Sequence, residues 1–385
     1  MSLDPAAAAA LGTVRIVGTG LLGTSIGLAL TSLGTRVVLA DPSPTSLSLA
    51  ASLGAGEPDP GNGTARITVV AAPPDVTAQV VAAELAAGPS TTVTDVASVK
   101  GQVLRSVTDT GADLTRYVGG HPMAGRERSG PMAARGDLFL GRPWVICPGE
   151  KSDPTRVADV RLLAQALGAS PVTMPAVDHD AAVALVSHVP QIASSLVAAR
   201  LQHAADDVLA LAGQGVRDVT RVAASDPVLW AQILTGNARP VVDVLHGVRG
   251  DLDAVIEALA VLVDDDTDAG GPADPGGPAG RRVLGASLVE VAGLIHRGTV
   301  GRERIPGKHG GGPDRFAVLT VVIPDEPGQL AALFADIGTA GVNVEELTLE
   351  HAPGRAVGLL EVSVVPGAAD TLTKTLASHG WKIVG

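Results

Sequence analysis

Val14-Arg15-Ile16-Val17 runs straight into Gly18-Thr19-Gly20-Leu21-Leu22-Gly23, and an apolar stretch follows as far as Leu33-Gly34. The β-branched run predicts a strand, the G-x-G-x-x-G a tight turn, and residues from about Thr24 to Leu33 a helix closed by Gly34. Such a turn has a physical use at each glycine. Gly18 permits the sharp bend, Gly20 lets the backbone approach a pyrophosphate, and Gly23 lets helix and strand pack closely. Leu21 and Leu22 lie at the helix start, whose free N–H groups and partial positive charge suit phosphate oxygens. A second strand, Val37–Ala40, ends at Asp41. A carboxylate there accepts ribose hydroxyls and repels a 2′-phosphate, so the expected cofactor is NAD rather than NADP.

Outward from this unit the pattern repeats. Ile67–Ala71, Thr92–Thr94, Tyr117–Val118, Trp144–Cys147 and Pro171–Met174 read as further strands separated by helical text. That alternation predicts right-handed βαβ units and a parallel sheet, an α/β Rossmann-type domain over residues 13–176. From Val177 to Val263 the text is Ala-, Leu- and Val-rich at helical spacing, and Asp178–Ala212 reads as one or two long helices broken at Pro190. An all-helical second domain, 177–298, is expected to carry substrate and dimer contacts, because helices this apolar need a partner surface. Within it, the acidic, Gly/Pro-rich 264–280 reads as disordered. Residues 299–314 read as a linker. The segment Gly301–Lys308 only imitates a P-loop, since five residues separate its glycines and no Ser or Thr follows the lysine. The last segment, 315–385, reads βαββαβ, a ferredoxin-like arrangement.

Composition narrows the function classes. Aromatics are 2% of the 385 residues and the formal net charge is −12, both poor for gripping nucleic acid. The single cysteine, Cys147, leaves no internal disulfide and no Cys-cluster metal site, and neither HExxH nor an acidic Ca²⁺ loop is present. Asp178-His179-Asp180 could imitate a metal site, but without a companion motif none is expected. No basic leader opens the chain and no apolar run looks long enough to span a bilayer, so a cytoplasmic protein is the expectation.

A dinucleotide-dependent oxidation needs a base. Of nine histidines, His121 alone falls within the sheet domain, in Gly119-Gly120-His121-Pro122, which reads as a loop after a strand. In such sheets ligands bind beyond the carboxyl ends of strands, and a neutral imidazole can take a hydroxyl proton. Ser98, after the fourth strand, could bond the same hydroxyl, or cap a helix. Arg217 and Arg221 are four apart, hence on one helix face, where two guanidinium groups suit a dicarboxylate; a solvated helix face is the alternative.

The ordered set Gly18–Gly23, Asp95–Gly101 (DVASVKG), Gly119–Gly130 (GGHPMAGRERSG), Ser187–Pro190 (SHVP) and Arg217–Trp230 (RDVTRVAASDPVLW) resembles the prephenate dehydrogenase family and its arogenate-using relatives. The tail, with Asp325, Gly328 and Asn343 in its PDEPG and GVN segments, looks like an ACT domain, a module that senses amino acids. The resemblance implies NAD-dependent oxidative decarboxylation of prephenate in tyrosine biosynthesis. It makes His121 the base and Ser98 a hydrogen-bond partner of the ring hydroxyl. Arg221 and Arg217 would bind substrate carboxylate together with Ser187, His188 and Gln191. Glu127, Asp218 and Trp230 would support them, and tyrosine would be the effector. Two positions depart from the family pattern: Gln191 stands where a second histidine is frequent, and Arg126 where threonine is. They leave prephenate and arogenate both open as substrates. A silent NAD-binding regulator is the reading from another class.

Overall fold

The computed structural model describes residues 2–61, 64–125, 130–267, 278–305, 316–351 and 357–384, and they form two compact units, Met1–Val248 and Arg249–Gly385. In the first unit, helix α1 (Pro5–Leu11) is capped by the Asp4 carboxylate, which accepts from the N–H of Ala6 and Ala7. The strands are β1 (Val14–Val17), β2 (Val37–Ala40), β3 (Glu57–Pro58), β4 (Ile67–Val70), β5 (Thr92–Asp95), β6 (Tyr117–Pro122), β7 (Pro143–Pro148) and β8 (Ser170–Thr173). Between them run α2 (Leu21–Ser32), α3 (Pro44–Ser52), α4 (Pro74–Ala87), α5 (Gly101–Asp109) and α6 (Pro154–Ala166).

The eight strands lie in the order β3-β2-β1-β4-β5-β6-β7-β8. All neighbours are parallel except β6 and β7, so the sheet is mixed where a wholly parallel one was expected. The segment joining those two strands contributes only a 3₁₀ turn at Pro131–Ala133 among the described residues, and an antiparallel pair needs no crossover helix. Strand β6 also runs on through Pro122. His121 is therefore a strand residue, in register with Val145, and not part of a loop. Gly119 and Gly120 look like loop text, yet a Cβ at Gly120 would lie 2.7 Å from the Asp95 carbonyl and 3.1 Å from Trp144 Nε1, so the crowded strand itself requires glycine there.

The helical part of this unit comprises α7 (Ala176–Val183), a π-helical turn (Ala184–His188), α8 (Val189–Arg200), α9 (Asp206–Leu209), α10 (Gln214–Thr220), a 3₁₀ turn (Arg221–Ala223), α11 (Pro227–Gly236) and α12 (Ala238–Thr267), which crosses the unit boundary. Pro190 does not break the helix as expected. The wider π turn just before it absorbs the missing N–H. Ala176–Arg200 is thus 25 continuous helical residues, of which an 18-residue stretch has a mean hydropathy of 1.5, long and apolar enough by length and composition to span a bilayer, contrary to the sequence reading. Its buried face nevertheless carries His179, Asp180 and His188.

In the second unit α13 (Pro278–Glu303) follows α12. The stretch expected to be disordered is helical at 264–267 and 278–280, and the expected linker begins as helix; 268–277 and 306–315 lie outside the described residues. Helix propagation costs little once a long helix exists, so α12 continues through poor formers. Then come β9 (Ala317–Pro324), α14 (Gln329–Thr339), β10 (Glu346–His351), β11 (Val357–Val364), α15 (Pro366–Ser378) and β12 (Lys382–Val384), an antiparallel sheet ordered β10-β11-β9-β12. Its core is aliphatic, built on Val321, Leu333, Leu360, Val362 and Leu372.

In so aromatic-poor a chain one ring pair anchors the main core. Phe139 and Trp144 are fully buried with centroids 5.5 Å apart. Phe139→Ala should lower the stability of the protein by roughly 3–5 kcal/mol, read from urea or thermal denaturation.

Candidate active site

The glycine turn is built for a phosphate. Gly18 has φ +102°, and a Cβ there would run into the Ala71 carbonyl. Gly20, the N-cap of α2, has nothing within 4 Å of where its Cβ would be, and no side chain caps the helix. The first turn of α2 therefore presents bare N–H groups to open space, and a pyrophosphate fits there. Asp41 stands at the end of β2 as expected, but it is also tied to the turn. Its Oδ2 accepts from the Thr19 N–H (2.6 Å) and hydroxyl (2.8 Å), and its Oδ1 from the Ser43 N–H (2.8 Å). A carboxylate offers about four lone-pair positions, so acceptor capacity for a ribose hydroxyl remains.

At the carboxyl ends of β5 and β6 lies a buried polar cluster. The His121 ring is buried, and its Nδ1 is 2.8 Å from His179 Nε2. His179 Nδ1 is in turn 2.8 Å from Asp180 Oδ1. Asp180 also accepts the N–H of Lys100 (2.9 Å) and of Gly101 (2.8 Å), which open α5. Burial alone would raise the Asp180 carboxyl, but these hydrogen bonds outweigh it and hold the group below the usual carboxylate range. Beneath β6, Lys100 Nζ is ion-paired with Asp95 and donates to the Gly120 carbonyl (2.7 Å), while the Tyr117 hydroxyl donates to Asp95 (2.7 Å). Burial, with the charges of His179, Lys100 and His188, pushes the His121 imidazole well below its ordinary value. His188 is pushed down to about 4, chiefly by burial. Its Nδ1 faces Asn237 Nδ2 at 3.1 Å, and its ring meets Trp230 edge-on with centroids 6.1 Å apart. Both imidazoles are thus neutral at pH 7. Burial also raises the Cys147 thiol to about 12, which leaves it an inert core group.

Other expected residues stand as follows. Ser98 is half-buried in the loop between β5 and α5, the loop that Asp180 and Lys100 pin down. Gln191, on the first turn of α8, is buried and accepts from Ser225 Oγ (3.4 Å); Ser187 lies half-buried in the π turn. Arg217 and Arg221 are both exposed; Arg217 lies in α10, and Arg221 follows its last residue with helical backbone angles at the start of the 3₁₀ turn. Asp218 accepts from Gln214 (2.8 Å) and not from an arginine. Glu127 and Arg126 lie outside the described residues. In the second unit Asp325 and Gly328 line a cavity of about 240 Å³ with Ile323, Leu330 and Leu349, while Asn343 donates to Glu345. The sequence reading missed His179, Asp180 and Asn237. An Asp-His-Asp run in an apolar helix was the available signal, and it was set aside as a metal imitation.

A bare glycine turn at a helix N-terminus, a carboxylate at the end of the second strand and a buried neutral imidazole accompany the fold of an NAD-dependent dehydrogenase of the Rossmann type. The family model described as "Prephenate dehydrogenase, nucleotide-binding domain" matches residues 26–173, and that described as "Prephenate dehydrogenase, dimerization domain" matches 175–269. The chain is 38% identical over 371 residues to the probable prephenate dehydrogenase NovF of Streptomyces niveus, covering 96% of this chain and 98% of that one. Among solved structures it resembles the Synechocystis arogenate dehydrogenase (28% identity, TM-score 0.56, 65% and 92% covered). It also resembles the prephenate dehydrogenase from A. aeolicus in complex with hydroxyphenyl propionate and NAD+ (26%, TM-score 0.59, 66% and 93% covered). The chain belongs to the prephenate dehydrogenase family.

Gly20→Ala is expected to leave the melting temperature unchanged while weakening NAD by roughly tenfold or more, measured by fluorescence titration; unchanged affinity would remove the phosphates from this turn.

Proposed function

We propose that the protein oxidises prephenate with NAD, releasing CO₂ and giving 4-hydroxyphenylpyruvate. The observation that carries this reading is the buried, neutral His121, with Nδ1 turned to His179 and Nε2 without a hydrogen-bond partner among the described residues. Bound NAD supplies the hydride acceptor. His121 Nε2 draws the ring hydroxyl proton as hydride leaves the same carbon, and Ser98 bonds the hydroxyl oxygen. The C–C bonding pair released with CO₂ enters the ring, which becomes aromatic, and the ring oxygen takes its proton back from His121. Arg221 and Arg217 meet the substrate carboxylates from the exposed side, and Ser187, His188 and Gln191 line the substrate with Trp230 behind His188. Gln191 supports arogenate as the second reading, since a neutral amide tolerates the ammonium of an amino acid better than a cationic ring would.

A homodimer belongs to the same proposal. Leu185, Val186 and Leu196 are 61%, 64% and 61% exposed in the single chain, within the segment matched by the dimerization-domain model. The cavity at Asp325 and Gly328 is the proposed seat of a tyrosine effector, and a cytoplasmic setting completes the proposal. The deciding experiment follows NADH formation with prephenate and with arogenate, each with and without tyrosine. Turnover of neither substrate would sink the reading.

His121→Asn should reduce kcat by about 10²–10⁴-fold and spare NAD binding. Because the base form of His121 persists below its ordinary pKa of about 6.5, kcat/KM should hold as pH falls through 6.5 and decline only at lower pH. A decline centred above 6.5 would contradict the burial argument.

A further inference from the structure

His121, His179 and Asp180 stand in a line. Their successive contacts are 2.8 Å each, and the His179 ring is fully buried between the other two. We propose that His179 and Asp180 are positioning residues that lock His121 in the tautomer with hydrogen on Nδ1, leaving Nε2 bare to take the substrate proton. The inference rests on His121 being the base of the reaction proposed above.

The argument is one of donors and acceptors. An ionised carboxylate can only accept. Asp180 is held ionised by two backbone N–H groups, those of Lys100 and Gly101. The space around it is shaped for that role, since a Cβ at Gly101 would fall 2.7 Å from Asp180 Oδ2. Facing this acceptor, His179 Nδ1 must carry hydrogen. With its one ring hydrogen on Nδ1, His179 would have a bare Nε2 that can only accept, so in this arrangement the hydrogen of neutral His121 sits on Nδ1. Reversing the chain would set the bare Nδ1 of His179 against the carboxylate, lone pair against lone pair. Asn237 Nδ2 donates to the Asp180 carbonyl at 2.7 Å and so secures the backbone that presents the pair.

The same line serves the protonated state. When His121 takes a proton its ring becomes a cation, which donates Nδ1–H to His179 with an anion at the far end. The buried Lys100 ammonium also faces this ring, but Asp95 is paired with it. Fixing a tautomer in this way is what the third member of a catalytic triad does for its histidine. Asp180 does a second job, because the N–H groups it holds begin α5 immediately after the Ser98 loop. One carboxylate therefore orients the base and anchors the loop of its hydrogen-bonding partner.

The test combines spectroscopy with kinetics. In ¹⁵N-histidine-labelled enzyme, a long-range ¹H–¹⁵N spectrum should show His121 protonated at Nδ1 and bare at Nε2. This readout needs no substrate and stands even if neither prephenate nor arogenate is turned over. His179→Phe keeps the ring volume but offers no acceptor, and should lower kcat by about 10²–10³-fold with KM and NAD affinity unchanged. His179→Gln should recover most of that loss, because its amide oxygen can accept from His121 while its NH₂ donates to Asp180. Asp180→Asn should mix the tautomers, since an amide can present NH₂ to His179. A wild-type His121 with hydrogen on Nε2, a His179→Phe enzyme with full kcat, or a Gln variant no better than Phe would each overturn the proposal. If His179→Phe fails to fold, the wild-type spectrum and the Gln and Asn variants decide it alone.

Discussion

The architecture of the site depends on a cation with no access to water. Lys100 is 1% exposed and Asp95 wholly buried. Charges so placed are tolerated only when every polar atom is matched, and removing one partner of such a pair typically costs about 3–5 kcal/mol. Here Asp95 takes the Lys100 ammonium and the Ala97 N–H on one oxygen and the Tyr117 hydroxyl on the other, while Lys100 also holds the Gly120 carbonyl. The pair thereby welds the end of β5, the Ser98 loop and the strand bearing His121 into one block. Because the ammonium and carboxylate cancel locally, the block gives rigidity without flooding the site with net charge.

Around that block the polar groups are neutral or locked. His121 and His188 are kept uncharged by burial, and Asp180 is occupied by backbone N–H groups and His179. The remaining cations, Arg217 and Arg221, stay in contact with solvent. This division separates the work. In the proposed reaction an acidic substrate would be collected at the rim by guanidinium groups that remain hydrated, and proton transfer would take place deeper, where water is scarce and a weak base stays unprotonated.

Much of this was legible in the residues. The glycine turn, Asp41 and the βαββαβ tail announce themselves because backbone geometry and short-range spacing dictate them. What escaped depends on partners far apart in the chain. His121 read as loop because two glycines precede it, whereas Gly120 is demanded by Asp95 and Trp144 packing against the strand. His179 offers no local pattern that points to a partner 58 positions earlier. The arginine spacing suggested one helical face, and nothing local announced that α10 ends at Thr220 with a 3₁₀ turn starting at Arg221. Acidic, glycine-rich text suggested disorder, yet the cooperativity of a long helix carried α12 to Thr267.

The π turn at Ala184–His188 has a consequence for the wheel of side chains around it. His179 and His188 are nine positions apart, which in a straight helix, at about 100° per residue, would place them on opposite sides. The extra residue of the wider turn rotates the following helix back by about that one step, and both rings point inward. Straightening the turn into an α-helix without removing a residue would swing His188, Gln191 and Ser194 out of the interior together. The irregularity acts as a phase shifter, holding one extra residue while the inward face stays inward.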